Sequence, residues 1–260
     1  MKLLLNKKIL VTGISSKYSI AYGIAKALHK AGADLVITCQ NEKLKLRIKK
    51  IINNLDPVDI ITCDVSQDNE INLLFIKLSK IWPKFDGLIH SIAYVNSKQL
   101  NDDYIKVINR NDFIKAHEIS SYSFVALSKA SLNMLNDNAS LITITYLGSN
   151  KVVPNYNVMG VAKASLEANV RYMAYSMGKN NIKVNAISSG PIKTISSYKI
   201  KDFKNMFSYY LNYSCIKKEI TIDNIGNVAV FLCSDLSNGI TGETINVDNG
   251  FNILSCLPMQ

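Results

Sequence analysis

Tyr156 and Lys163 are a pair whose types and spacing could do proton chemistry. Seven residues is nearly two α-helical turns, so a helix carrying both would set them on one face. A phenol beside an ammonium can donate a proton, because the cation favours the phenolate left behind. A Tyr and a Lys on one amphipathic helix are also common without consequence, and the pair alone does not make a site. Metal chemistry is not expected: His29, His90 and His117 stand far apart, and the cysteines at 39, 63, 215, 233 and 256 show no C-x-x-C spacing. Their odd number and scatter suit reduced thiols in a cytoplasmic compartment, with Cys39 and Cys63 buried and inert.

The elements that must position such a pair alternate along the chain. Apolar runs at 8–13, 34–39, 60–65, 87–92, 140–145, 182–187 and 243–247 read as strands. Helical spacing marks 20–31, 44–55, 70–82, a long region 112–135, then 157–177 and 222–232. No repeat, low-complexity tract or linker divides residues 1–260. This predicts an α/β fold, one Rossmann-type domain whose doubly wound parallel sheet carries helices on both faces. Ligands in such sheets sit at the carboxyl ends of the strands, beside the switch in strand order.

The strand ends hold suitable residues. Gly13 opens the first strand-to-helix turn, where backbone N–H groups and a helix N-terminus can meet a pyrophosphate. The turn lacks G-x-G-x-x-G, since Ser19 occupies a usual glycine position, and it also reads as an ordinary loop with Ser19 as N-cap. Gln40, after the second strand, can hydrogen-bond a ribose or an adenine edge, or it is an exposed strand-end glutamine. No arginine adjoins it to hold a 2′-phosphate, which favours NADH over NADPH. Asp64 and Val65 end the third strand, and Ser91-Ile92-Ala93 the fourth.

Composition removes other classes. In 260 residues, 48% hydrophobic and 19% charged content can build a core and argues against disorder. The net charge of +10 rests on dispersed lysines with only Arg47, Arg110 and Arg171, so a nucleic-acid partner is not expected. Lys, Ile and Asn share A/T-rich codons, which accounts for the excess without a binding role. No apolar run approaches the roughly 18 residues of a spanning helix. Three leucines and then charge at the N-terminus do not form a signal sequence, so an unprocessed soluble protein with no membrane contact is expected.

The chain resembles the short-chain dehydrogenase/reductase superfamily and, within it, the bacterial NADH-dependent enoyl-acyl-carrier-protein reductases of type II fatty-acid synthesis. The matching stretches are Ile9-Leu10-Val11-Thr12-Gly13, Ser19-Ile20-Ala21-Tyr22-Gly23, Trp82-Pro83-Lys84-Phe85-Asp86-Gly87, Ile119-Ser120-Ser121-Tyr122-Ser123-Phe124, residues 154–160 and 162–174, and Gly190-Pro191-Ile192. They span essentially the whole chain. Ordinary ketone and alcohol reductases of the superfamily carry Tyr-x3-Lys, which would put a tyrosine where Met159 stands. The observed Tyr-x6-Lys suits an enoyl thioester and disfavours a ketone reductase. Retention of Tyr146, Tyr156 and Lys163 together disfavours a non-catalytic dinucleotide-binding protein.

The resemblance implies roles residue by residue. Tyr156 would bind the thioester oxygen, Lys163 the nicotinamide ribose, and Tyr146 would line the acyl pocket near the reacting centre. NADH would meet Gly13, Ser19, Ile20, Gln40, Asp64, Val65, Ser91, Ile92 and Lys163, with Ile192, Lys193, Thr194, Ile195 and Ser196 closing over it. Acyl-chain contacts would come from Val95, Met159, Ile200, Phe203 and Met206, the last three on a substrate-binding loop near 194–206. Lys199, Lys201 and Lys204 would meet an acidic acyl carrier protein or simply be solvated. A homotetramer is implied. Three residues depart from the family: Ala93 is larger than usual beside the nicotinamide and Val95 in the acyl pocket, and Asn249 replaces a glycine at a position where asparagine tolerates left-handed backbone.

Overall fold

The computed structural model describes residues 2–255; Cys256 lies outside them. Among the described residues, seven strands form one parallel sheet: β1 (Lys8–Thr12), β2 (Asp34–Cys39), β3 (Asp59–Thr62), β4 (Phe85–His90), β5 (Leu135–Tyr146), β6 (Lys183–Ser189) and β7 (Thr244–Val247). Their order is β3-β2-β1-β4-β5-β6-β7, so the direction of winding switches between β1 and β4. The strands read as continuous apolar runs because both faces are covered. In β1, Ile9 and Val11 join the cluster under α1 (Ile20–Lys30), α2 (Glu42–Ile51) and α9 (Ile222–Cys233). Leu10, between them, points to the opposite cluster under α3 (Asp68–Ile81), α6 (Ser123–Ser131) and α7 (Val158–Gly178). The α/β Rossmann-type expectation is met.

Local chemistry sets several helix starts. Asn41 accepts a hydrogen bond from the Leu44 backbone N–H to cap α2, and Thr221 with Asn224 forms a reciprocal capping box on α9. The expected long helix at 112–135 is instead broken. It becomes α5 (Arg110–His117), a π turn at Glu118–Tyr122 and α6, and residue 135 already belongs to β5. Serines cause the interruption by taking partners outside the helix. Ser120 Oγ serves both the N–H and the C=O of Tyr94, and Ser121 Oγ meets Ser165 Oγ at 2.9 Å. A short helix, α4 (Tyr104–Val107), precedes α5, and α8 (Phe203–Tyr213) follows β6.

Candidate active site

At the carboxyl end of the sheet, over the β1–β4 switch, lies a cavity of about 470 Å³. Gly13 shapes its floor: its φ is +94°, and a Cβ there would stand 2.1 Å from the Ser91 carbonyl oxygen. The first turn therefore runs flush against the end of β4. Ser19 precedes α1, but its hydroxyl donates to the Ser16 carbonyl at 2.7 Å instead of capping the helix. The α1 N-terminus is thus left open toward the cavity, which both residues line.

At the β2–β3 end, Gln40 Nε2 donates to Asp64 Oδ2 at 2.9 Å. Partial burial pushes the Asp64 carboxyl up, but hydrogen bonds from Gln40 and Ser66 outweigh it and hold the group below the usual range. Among the described residues no arginine lines the cavity. An acceptor carboxylate with no guanidinium nearby fits a free ribose better than a ribose phosphate. The glycine floor, open helix end and Gln40–Asp64 pair together fit an adenine dinucleotide.

At the other end Tyr146, Tyr156, Met159 and Lys163 converge. Tyr156 does not lie on α7, which begins at Val158, so the shared-helix-face argument does not describe this pair. Tyr156 instead sits in a turn just ahead of the helix, and its ring meets that of Tyr146 edge-on at 5.0 Å. Burial pushes the Tyr156 phenol well above its ordinary range, reinforced by Tyr146 and Glu167, so it stays a neutral donor. Burial also raises Tyr146, to about 12. Lys163, 5% exposed, donates through Nζ to the Ile144 carbonyl at 2.7 Å. Its pKa is pushed down to about 8 by burial, against an opposing pull from Glu167.

Val95, Ile200, Phe203 and Met206 also line the cavity, with Met206 Sδ 3.8 Å from the Tyr146 hydroxyl. Phe203 and Met206 belong to α8, so the expected loop at 194–206 is helical over its last four residues. Ala93 lines the cavity too, and Asn249 has φ +55°, the left-handed geometry anticipated for it. Every residue expected at the site lines this cavity except Lys193. That side chain turns away because Glu219 draws its ammonium to 2.6 Å and the Phe207 ring lies 4.5 Å from it.

Glu167 and Thr145 escaped the sequence reading. Thr145 Oγ1 donates to Glu167 Oε1 at 2.6 Å in a buried contact beside Lys163. The signal was present, since Glu167 stands four residues after Lys163 on one helix face. His90, wholly buried at the end of β4, has its ring nitrogens 2.8 Å from Thr143 Oγ1 and Ser123 Oγ. Burial, then the Lys163 charge, lowers its pKa to about 3, which keeps it neutral.

The sequence matches the protein family described as enoyl-(acyl carrier protein) reductase over residues 13–252. It is 56% identical over 260 residues to the NADH-dependent enoyl-acyl-carrier-protein reductase FabI of Buchnera aphidicola subsp. Acyrthosiphon pisum (strain APS), covering 100% of both chains. Identity to the Escherichia coli (strain K12) protein of the same name is 52% over 253 residues, 97% of each chain. The crystal structure of the NADH enoyl-acyl-carrier-protein reductase from Aquifex aeolicus VF5 superposes with a TM-score of 0.95. Its identity is 41%, with 98% of this chain and 100% of that one covered.

Proposed function

The chain belongs to the enoyl-acyl-carrier-protein reductase family, and from that premise we propose that Tyr156, Lys163 and Tyr146 form its reducing centre. The enzyme is an oxidoreductase that reduces the trans-2 double bond of enoyl thioesters with NADH in fatty-acid elongation. Its substrate is carried on acyl carrier protein. One observation carries the assignment of residues: Tyr156 and Lys163, though not on one helix, face the cavity that also holds the β1–α1 turn.

When bound, NADH supplies the hydride that reaches the β-carbon. Gly13, Ser19, Ile20, Gln40, Asp64, Val65, Ser91 and Ile92 hold its adenosine and pyrophosphate, with Ile192, Thr194, Ile195 and Ser196 over the nicotinamide side. Tyr156 donates its O–H to the thioester oxygen and stabilises the enolate charge there, an oxyanion-type contribution. Its raised pKa keeps the proton on the phenol until that charge develops. Lys163, oriented by the Ile144 carbonyl, holds the ribose hydroxyls and keeps the site cationic. Tyr146, stacked edge-on against Tyr156, limits how far the phenol can swing and excludes water from the acyl side. Met159 stands where a ketone reductase of the superfamily would carry its tyrosine, which leaves no phenol to protonate an alkoxide at the hydride-accepting carbon.

The remaining parts of the reading are supported by surface chemistry. Lys199 lines the cavity, Lys201 and Lys204 follow it in the chain, and the three positive charges suit an acidic carrier protein. The outer face of α7 exposes Tyr172 at 79% and Tyr175 at 90%, apolar area that a homotetramer would cover. Residues 1–260 then act as one dinucleotide-binding and catalytic domain per subunit. Cys39, Cys63, Cys215 and Cys233 are free thiols, in keeping with a cytoplasmic location. No described helix is long and apolar enough to cross a membrane.

The test follows NADH consumption with a short trans-2-enoyl thioester. Tyr156→Phe is expected to lower kcat by about 10²–10³-fold while NADH affinity is unchanged. A variant as fast as the parent would remove Tyr156 from the reaction. Turnover of a β-ketoacyl thioester by the parent would overturn the enoyl reading.

A further inference from the structure

Asn157 is the residue whose conformation the reducing centre does not by itself explain. Its φ of 45° and ψ of −126° lie in a region that side chains other than glycine rarely occupy. Asn155, on the other side of Tyr156, has φ 63°, so the phenol is carried between two positive-φ residues. Asparagine is among the best helix N-caps, and Asn157 occupies the N-cap position of α7, yet its side chain makes no capping hydrogen bond. Its Oδ1 accepts from none of the first α7 N–H groups, and its amide hydrogens reach outside the helix. Nδ2 donates to the Gln99 carbonyl and to the Asp102 carbonyl, each at 2.8 Å.

Those carbonyls belong to a strap over residues 97–103 that is itself anchored. Gln99 is buried, and its Nε2 donates to the Val107 carbonyl and to Asp112 Oδ2 on α5. Leu100, in the same strap, lines the cavity, and its carbonyl accepts from the Lys201 N–H. Asn155 Nδ2 in turn reaches the Lys201 carbonyl at 3.3 Å. The turn bearing Tyr156 is therefore tied to the strap through Asn157, and to the substrate loop both directly through Asn155 and by way of the strap.

We propose that Asn157 is a positioning residue: its two amide hydrogen bonds hold the strained backbone that aims the Tyr156 phenol into the cavity. The inference rests on the reading of Tyr156 as the group that binds the thioester oxygen. Lys163 is fixed independently, through Ile144, and neither Asn157 nor the two residues whose carbonyls it meets, Gln99 and Asp102, line the cavity that would hold the dinucleotide. Loss of the ties therefore misaims the phenol without disturbing cofactor binding.

Two variants separate the elements of the argument. Asn157→Asp keeps the size but cannot donate, and sets a carboxylate against two carbonyls. Asn157→Gly keeps the backbone freedom and deletes both bonds. Each is expected to lower kcat by about a hundredfold, with the KM for the enoyl thioester and the NADH dissociation constant little changed. The double variant Tyr156→Phe/Asn157→Asp is expected to be no slower than Tyr156→Phe alone, because a residue acting only through the phenol has nothing left to act on. Independent, multiplying losses in the double variant, or NADH affinity falling in step with kcat, would make Asn157 a general structural residue and overturn the proposal. So would full activity in both single variants. Should Tyr156→Phe itself be fully active, the assignment of Tyr156 fails and this proposal falls with it, whereas a slow Tyr156→Phe beside fast Asn157 variants removes this proposal alone.

Discussion

Lys163 is buried, and in the role proposed for it its titration would set the pH range of the reaction. Removal from water lowers its pKa to about 8, with Glu167 one helical turn away limiting the fall. The ammonium predominates below that value and the neutral amine above it. Tyr146 and Tyr156 are shifted the other way and do not lose their protons in the same range. The expected outcome is a kcat/KM that falls as pH rises through about 8 in the free enzyme. Lys163→Arg carries a cation that does not titrate there, so whatever activity it retains is expected to lose that alkaline limb. The sign for stability is opposite. An unfolded lysine binds its proton up to about 10.5, so between 8 and 10.5 the unfolded chain holds more protons and this group favours the fold as pH climbs. Activity lost over that range with the circular dichroism intact reports the site and not unfolding. A limb that persists unchanged in Lys163→Arg would assign the titration to another group.

At the scale of elements, the open end of α1 is held at the cavity by the crossing of α1 with α9. Gly23 makes that crossing close: a Cβ there would lie 2.5 Å from both the Cβ and the carbonyl oxygen of Ile222. Helix propensity alone would have Gly23→Ala gain up to about 1 kcal/mol. Backbone cannot yield as a flexible side chain does, so overpacking of about 1–3 kcal/mol is expected to win. The variant should unfold at lower urea and bind NADH more weakly, since α1 must shift with its N-terminus. A raised urea midpoint would show that the two helices part without cost. The same scale shows what the sequence could reveal. Strands were legible because burial on both faces makes them apolar throughout, and the β1–β4 switch located the cavity. The break between α5 and α6 was not, because Ser120, Ser121 and Ser123 take partners on other segments: Tyr94, Ser165 and His90. The Tyr156–Lys163 pair was legible from its spacing, but for a different geometry from the one observed, since the start of α7 at Val158 is set by ties from Asn157 to residues more than fifty positions earlier. The direction of the Lys193 side chain was not legible for the same kind of reason: Glu219, distant in sequence, pairs with its ammonium.

The whole molecule carries a net charge of +10, which opposes association of identical chains unless the contact surface is nearly uncharged. The outer stripe of α7 comes near that condition, with Arg171 its single charge. Val161, Ala164, Ala168, Tyr172 and Tyr175 recur at helical spacing, and the two tyrosine rings stand almost wholly in water in the single chain. Ion pairs such as Lys7–Asp235 and Lys26–Asp223 lie at the surface elsewhere, each with at least one well-exposed partner, and contribute little. Burying two aromatic side chains per subunit across a symmetric contact is the larger effect, at about 1.5–3 kcal/mol for each large apolar group covered. The reverse face of α7 carries Lys163, so a contact on the outside would also stiffen the helix that holds this cation at the cavity. Light scattering of the parent is expected to give a tetramer, and Tyr172→Glu with Tyr175→Glu a smaller species. Raised salt should not restore it, because the loss comes from buried charge and not from long-range repulsion. The dissociated form should keep its fold yet lose turnover as α7 loosens around Lys163. A monomeric parent at micromolar concentration with full activity would overturn both the assembly and its link to the site.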